Sequence, residues 1–194
     1  MEVRQPMNNY IPGTIIPSDK SQMRPFSLLS PMISAADGLS LSQVCAITGL
    51  EPSTIQNWVK RNFVPHTIKK KYYARHVARI LIISMMRDSM SIDDIGKLLG
   101  MNNGVTDDEK DELISEQDLY DCVCEVIYKT ADSSYEKALR DTIKETISQY
   151  NLKYYSDAEQ RLTLALLVML NAYHSCTLKK NAELYFNQLK ERTR

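Results

Sequence analysis

The sequence predicts a mainly α-helical chain, on three observations. Ser or Thr is followed three residues later by Gln, Asp or Glu at Ser40/Gln43, Ser91/Asp94, Thr106/Glu109, Ser133/Glu136 and Ser156/Glu159. In such a capping box the hydroxyl takes an orphan N–H of the first helical turn, and the later side chain reaches back to the cap. Apolar residues after these caps recur at three- and four-residue spacing, as in Leu41, Val44, Cys45, Thr48 and in Ile92, Ile95, Leu98, Leu99. Alternating patterns are nearly absent, apart from a possible two-stranded ribbon around Phe63 to Tyr73.

Taken in order, residues 1–37 form a segment of their own. Five of the seven prolines (Pro6, Pro12, Pro17, Pro25, Pro31) fall there, which argues against a long helix and for an extended arm. Two readings stand: a partly disordered lead, or an arm wrapping a partner subunit through Tyr10, Ile11, Phe26, Leu28 and Leu29.

Residues 38–100 make the next unit. A helix from Ser40 to Thr48 is stopped by Gly49, and Gly49-Leu50-Glu51 makes a short turn. Pro52 then stands where a helix tolerates proline, at its first position. In this second helix Ile55, Trp58 and Val59 share the face that packs on the first. The opposite face presents Ser53, Gln56, Asn57 and Lys60, with Arg61 on its flank. Amides of this kind can grip adenine in bidentate fashion, and the cations reach guanine or phosphate in a major groove. Phe63-Val64-Pro65 ends the helix. Lys69, Lys70 and Lys71 beside Tyr72 and Tyr73 offer phosphate contacts and amphipathic rings, the pattern of a basic wing. A helix from Ala74 carries Arg75 and Arg79 one turn apart, and its interior from Val77 to Met86 is apolar nearly all round. Gly100 reads as the end of the helix that Ser91 begins.

Charge supports this division. The formal net charge is zero, yet Glu51 to Arg87 holds eight Lys/Arg against one acidic residue. Met101 to Glu125 reverses this, with nine Asp/Glu against one Lys. Such asymmetry is the footprint of two regions with different partners, the basic one suited to duplex DNA. The competing explanation is mutual attraction of the two regions across an interface.

The stretch Leu41 to Leu99 resembles the MerR-type winged helix-turn-helix. The residues that carry the likeness are Gly49-Leu50, Thr54-Ile55-Gln56, Trp58, Phe63-Val64-Pro65, Lys71-Tyr72-Tyr73 and Ser91 through Ile95 to Leu99. Gln56 and Lys71 depart from it, each standing where that family usually has Arg. The chain is also similar to a bacterial family known as domain of unknown function 1836. Asn57-Trp58-Val59-Lys60, Pro65 to Tyr72 and Met90-Ser91-Ile92 carry that likeness. Together these resemblances imply a MerR-like winged helix-turn-helix followed by a C-terminal helical bundle. They imply double-stranded DNA as partner, and add Thr54 to the DNA-binding set Ser53, Gln56, Asn57, Lys60, Arg61, Lys69, Lys70, Lys71, Tyr73 and Arg75.

Beyond the linker Met101-Asn102-Asn103-Gly104, residues 105–194 are expected to form a dimerisation or sensing domain of three helices. These are read as Asp107 to Thr130, Ser134 to Tyr150, and a third from Asp157 to about Cys176. The third is apolar on almost every side, which suits either a homodimer interface or the centre of one bundle. A sustained heptad of the long antiparallel MerR coiled coil is not visible, so any dimerisation is expected to use another geometry.

Other chemistry finds little support. Cys122-x-Cys124 and His174-x-Cys176 match no ordinary zinc spacing. His66 and His76 sit in the basic region and read as DNA-proximal rather than catalytic. Nucleophile-elbow, zincin, P-loop and dinucleotide glycine motifs do not occur, so neither enzyme nor cofactor is expected. Sparse, irregular cysteines, no secretory leader and no run of roughly 18 apolar residues lead to the expectation of a cytoplasmic protein. The leading expectation is a dimeric transcriptional regulator. The alternatives are an excisionase-like architectural protein that bends DNA, and a module whose basic face grips an acidic protein surface.

Overall fold

The computed structural model describes residues 10–18, 21–103, 112–130, 135–153 and 156–192. The capping boxes expected at Thr106/Glu109 and Ser133/Glu136, and Gly104 of the linker, lie outside them. Among the described residues there are eight helices and no strand, so the fold is mainly α.

Helix α1, Pro25–Ala35, runs through the segment expected to be an extended arm. Pro25 sits in its first turn, where a missing N–H costs nothing, although Pro31 lies inside it. The helix has no side-chain cap of its own. A carboxylate from far along the chain supplies one: Asp121 accepts the Phe26 and Ser27 N–H groups at 2.7 and 3.0 Å and the Ser27 hydroxyl at 2.7 Å. Burial still holds the Asp121 carboxyl above its ordinary range, against the pull of those three donors. Phe26 does not wait for a partner subunit. It is fully buried, edge-on to Tyr120 at 5.7 Å. Upstream, the Tyr120 hydroxyl donates to the Pro12 carbonyl at 2.6 Å. Gly13 there adopts φ +77° so close to α4 that a Cβ would stand 2.5 Å from the Leu81 carbonyl oxygen.

Helix α2, Leu41–Thr48, opens with its capping box formed in both directions: Gln43 N–H to Ser40 Oγ at 3.3 Å, Ser40 N–H to Gln43 Oε1 at 2.8 Å. It closes on Gly49 in the left-handed region. Helix α3, Pro52–Lys60, buries Ile55 and Trp58. It ends in a Schellman-type turn, with Asn62 at φ +60° and the Phe63 N–H donating back to the Trp58 carbonyl at 2.9 Å.

Helix α4, Ala74–Met86, is the hub, touching α1, α2, α5, α6 and α8. His76 through Ile83, Met85 and Met86 are buried, as its apolar sequence predicts. Helix α5, Ile92–Asn103, starts at the Ser91/Asp94 cap but continues through Gly100, which therefore does not end it. Helix α6, Glu116–Thr130, begins later than the expected Asp107 to Thr130 helix, at a cap formed by Ser115 and Asp118. Helices α7, Tyr135–Ile147, and α8, Ala158–Arg192, complete the chain. The last runs well beyond Cys176. One apolar cluster links Phe26, Val44, Trp58, Ile80, Leu99, Leu119, Ile143 and Leu166, so the core crosses the expected boundary near residue 100 without a break.

The ends of that core are joined by charge. Arg79 on α4 and Glu116 on α6 form an ion pair in which both side chains are buried. The Arg79 Nε–H also donates to the Phe63 carbonyl at 2.7 Å. One turn away, Arg75 pairs with Glu112 at 2.8 Å. Removing one partner of a buried pair strands the other charge, at a cost of about 3–5 kcal/mol. Glu116→Ala should therefore lose about that much in urea unfolding. Arg79→Met with Glu116→Leu should lose less than either single substitution, because no charge is left unmatched. A single-variant loss under about 1 kcal/mol would show that the pair is solvated in solution.

Candidate nucleic-acid interface

The candidate surface is built on α3 and the loop before α4. Because Ile55 and Trp58 anchor α3 from behind, its other face is turned to solvent. Ser53, Gln56, Asn57, Lys60 and Arg61 are exposed there, and Thr54 is half-buried. Arg61 lies 4.6 Å over the Phe63 ring and pairs with Asp93 at 3.1 Å, both side chains being substantially exposed. Such a surface pair is worth little and leaves the guanidinium able to exchange partners.

The expected ribbon at 63–73 shrinks to a tight hairpin turn. Ile68 and Lys71 form an isolated antiparallel bridge, with the Lys71 N–H donating to the Ile68 carbonyl at 2.9 Å. Between them Lys69 and Lys70 stand at φ +50° and +60°. Two successive left-handed residues make this a type I′ turn, where Asn-Gly is the favoured pair. Both lysine side chains are exposed at its tip.

The base of the turn is latched to the end of α1. Leu39 and Tyr72 exchange backbone hydrogen bonds at 2.9 and 2.8 Å. The Lys71 ammonium donates to the Gly38 carbonyl at 3.3 Å, and the Tyr73 hydroxyl to Asp37 at 3.1 Å. That last bond raises the Tyr73 hydroxyl above its ordinary range. Sequence reading put Asp37 in the arm and gave Gly38, at the start of the next unit, no role at the wing, although Asp-Gly is a recognisable turn signal.

The structure thus divides the expected set. Ser53, Gln56, Asn57, Lys60, Lys69 and Lys70 are presented outward. Lys71 and Tyr73 hold the turn in place. Arg75 is taken up by Glu112 inside the fold, so its guanidinium is no part of the exposed basic surface. His76, read as DNA-proximal, is buried: it accepts the Tyr73 N–H at Nδ1 (3.1 Å) and its Nε2 lies 3.0 Å from the His66 carbonyl.

Among the described residues no group of three or more His, Cys, Asp or Glu could hold a metal ion. Cys122 and Cys124 are buried, and burial pushes the Cys122 thiol up to about 12. Nor is any described helix long and apolar enough to cross a membrane.

Fold and surface together define an all-helical protein with a short polar and basic helix presented outward beside a lysine-tipped turn. Residues 36–123 match the model of a family described as Domain of unknown function (DUF1836). The match contains both partners of the Arg75–Glu112 and Arg79–Glu116 pairs, so the acidic segment travels with the basic helices rather than apart from them. No curated protein and no solved structure matches the chain.

A left-handed conformation costs a residue with a Cβ roughly 1–2 kcal/mol. Replacing Lys69-Lys70 by Asn-Gly should therefore stabilise the protein by about 1–2 kcal/mol in thermal or urea unfolding. A neutral or destabilising result would mean that the turn is not of type I′ in solution.

Proposed function

We propose that this protein is a DNA-binding transcriptional regulator that works as a homodimer, with α2, the Gly49–Glu51 turn and α3 serving as a helix-turn-helix and the Lys69–Lys70 hairpin as its wing. In this reading it is a cytoplasmic, non-enzymatic protein whose DNA-binding unit is of the MerR type. The observation that carries it is the outward face of α3. A nine-residue helix, fixed by Ile55 and Trp58, presents two adjacent amides and a lysine that, among the described residues, is in no ion pair. Side-chain amides match the donor–acceptor pair of adenine in the major groove.

The wing supports the same reading. Lysines at both left-handed positions cost stability that Asn-Gly would spare, and strain of this kind is kept where the side chains themselves are needed. Lys69 and Lys70 would neutralise phosphates, supplying affinity without sequence preference, while Gln56 and Asn57 would read base edges.

These roles separate experimentally. On a duplex selected from random sequences, Gln56→Ala or Asn57→Ala should lower affinity by about 1–3 kcal/mol, with little change on random DNA. Lys69→Ala with Lys70→Ala should weaken both duplexes alike, and flatten the slope of log K against log salt by up to roughly 0.9 per lost contact. Equal losses on both duplexes for the amide variants would favour an architectural protein. Absence of salt-dependent duplex binding by the wild type would leave the basic face as a dock for an acidic protein.

A further inference from the structure

Helix α8 packs on the body along one face, and one stripe of it faces away from that body. Leu162, Ala165, Leu166, Met169, Leu170, Tyr173 and Cys176 are buried. Between them a second series is exposed: Leu164, Val168, Asn171, Ser175, Leu178, Ala182, Tyr185 and Leu189. The steps alternate four and three residues without interruption from 164 to 189. That is the 3.5-residue repeat of a coiled-coil seam, held for more than three heptads. Its apolar members are far from covered, with Leu164 63% and Leu178 69% exposed. From Leu178 to Glu191 every residue except Asn181 is exposed, so the last part of the helix projects past its own domain, carrying Leu184, Tyr185, Phe186 and Leu189 into water. A contiguous apolar surface on a projecting helix calls for a covering partner.

We propose that the partner is a second copy of this chain, its α8 laid antiparallel along the same stripe so that each projecting end covers the other protomer's exposed seam. This specifies the interface of the homodimer proposed above and does not depend on DNA being the ligand. The stripe is self-complementary. With the two-fold axis between Cys176 and Thr177, antiparallel pairing sets Leu164 level with Leu189, Val168 with Tyr185, Asn171 with Ala182 and Ser175 with Leu178. Every such layer joins an a position to a d position, as antiparallel coiled coils require. Small residues meet larger ones at the two central layers, the alternation that fills a seam without voids. A parallel pair would instead set Ser175 on Ser175, Ala182 on Ala182 and Tyr185 on Tyr185, leaving gaps beside a crowded layer.

Length and helix dipoles agree. The projecting residues 182–191 lie level with residues 162–171 of the second copy, about 15 Å each at 1.5 Å per residue. Antiparallel pairing also sets the opposite ends of the two helix dipoles side by side.

The test uses the full chain with Cys45→Ser, the remaining cysteines being buried. Val168→Cys protein mixed with Tyr185→Cys protein should form a disulfide-linked dimer under mild oxidation, and neither should link to itself. Linkage of either variant alone would overturn the antiparallel pairing, as would no linkage in the mixture. In sedimentation, wild type should be a dimer at about 50 µM, and Leu164→Asp with Leu178→Asp should weaken it by at least about 30-fold, the loss of one hot-spot contact. Both positions are exposed in the protomer, so the far-UV circular dichroism should still show a folded helical chain. A monomeric wild type would overturn the proposal. Fluorescence polarisation on a random duplex is read on the same samples. A dimer that ignores DNA would remove the DNA-binding reading alone, and a DNA-binding monomer would remove the homodimer with this interface and leave the DNA-binding reading.

Discussion

The pairing of Arg79 with Glu116 is the interaction on which the rest of the molecule leans. A guanidinium buried in the middle of an apolar helix is tolerable only if every strong interaction it lost from water is replaced. Glu116 supplies the counter-charge, and the Phe63 carbonyl accepts the Nε–H at 2.7 Å. Those partners come from different parts of the chain: Phe63 follows α3, and Glu116 opens α6. One side chain therefore fixes three things at once: the exit of the proposed recognition helix, the register of α4, and the start of the C-terminal helices. Gly96 tightens the same spot from the α5 side, where a Cβ would come within 2.9 Å of the Phe63 ring.

This pair also recasts the charge asymmetry. The basic and acidic runs of the sequence suggested two regions with separate partners, and for Arg75 and Arg79 the partner is the acidic run itself. Glu112 and Glu116 repeat the four-residue spacing of the two arginines. Spacing alone did not reveal the match, because residues 107–116 were read as the first part of a helix from Asp107 to Thr130, whereas α6 begins only at Glu116. What remains of the basic run after those two are subtracted is concentrated at Lys60, Arg61 and the turn at Lys69 to Lys71. That remainder is a smaller and more directed positive surface than the raw count implied.

What was legible in the sequence was local. The Ser40 and Ser91 caps, the Gly49 stop, the Pro52 start and the buried back of α3 all depend on residues within one or two turns of each other, and all are present. What was not legible depended on distant residues. Five prolines hid α1, since its cap is Asp121, ninety-five residues away from Phe26. The seam on α8 was hidden for another reason. A buried face and an exposed heptad stripe share one helix, and their sum looks apolar on nearly every side. Asn171 and Ser175 further blur the repeat, and only exposure residue by residue separates the two patterns.

The wing shows how such distant contacts bear on the candidate site. A type I′ turn carrying two lysines is poorly favoured by its own sequence, so something outside the turn must hold it closed. The Leu39–Tyr72 backbone exchange, the Lys71 bond to Gly38 and the Tyr73 bond to Asp37 do so from the end of α1. Helix α1 is in turn held by Asp121 of α6 and by the packing of Phe26 on Tyr120. The position of Lys69 and Lys70 is thus set by a chain of contacts running from α6 through α1 to the wing. The exit of α3 is set by a second chain, from Glu116 of α6 through Arg79. Both elements of the candidate interface therefore take their placement from the same helix. Any event that shifts α6 against α4 would move the wing and the outward face of α3 together rather than one without the other.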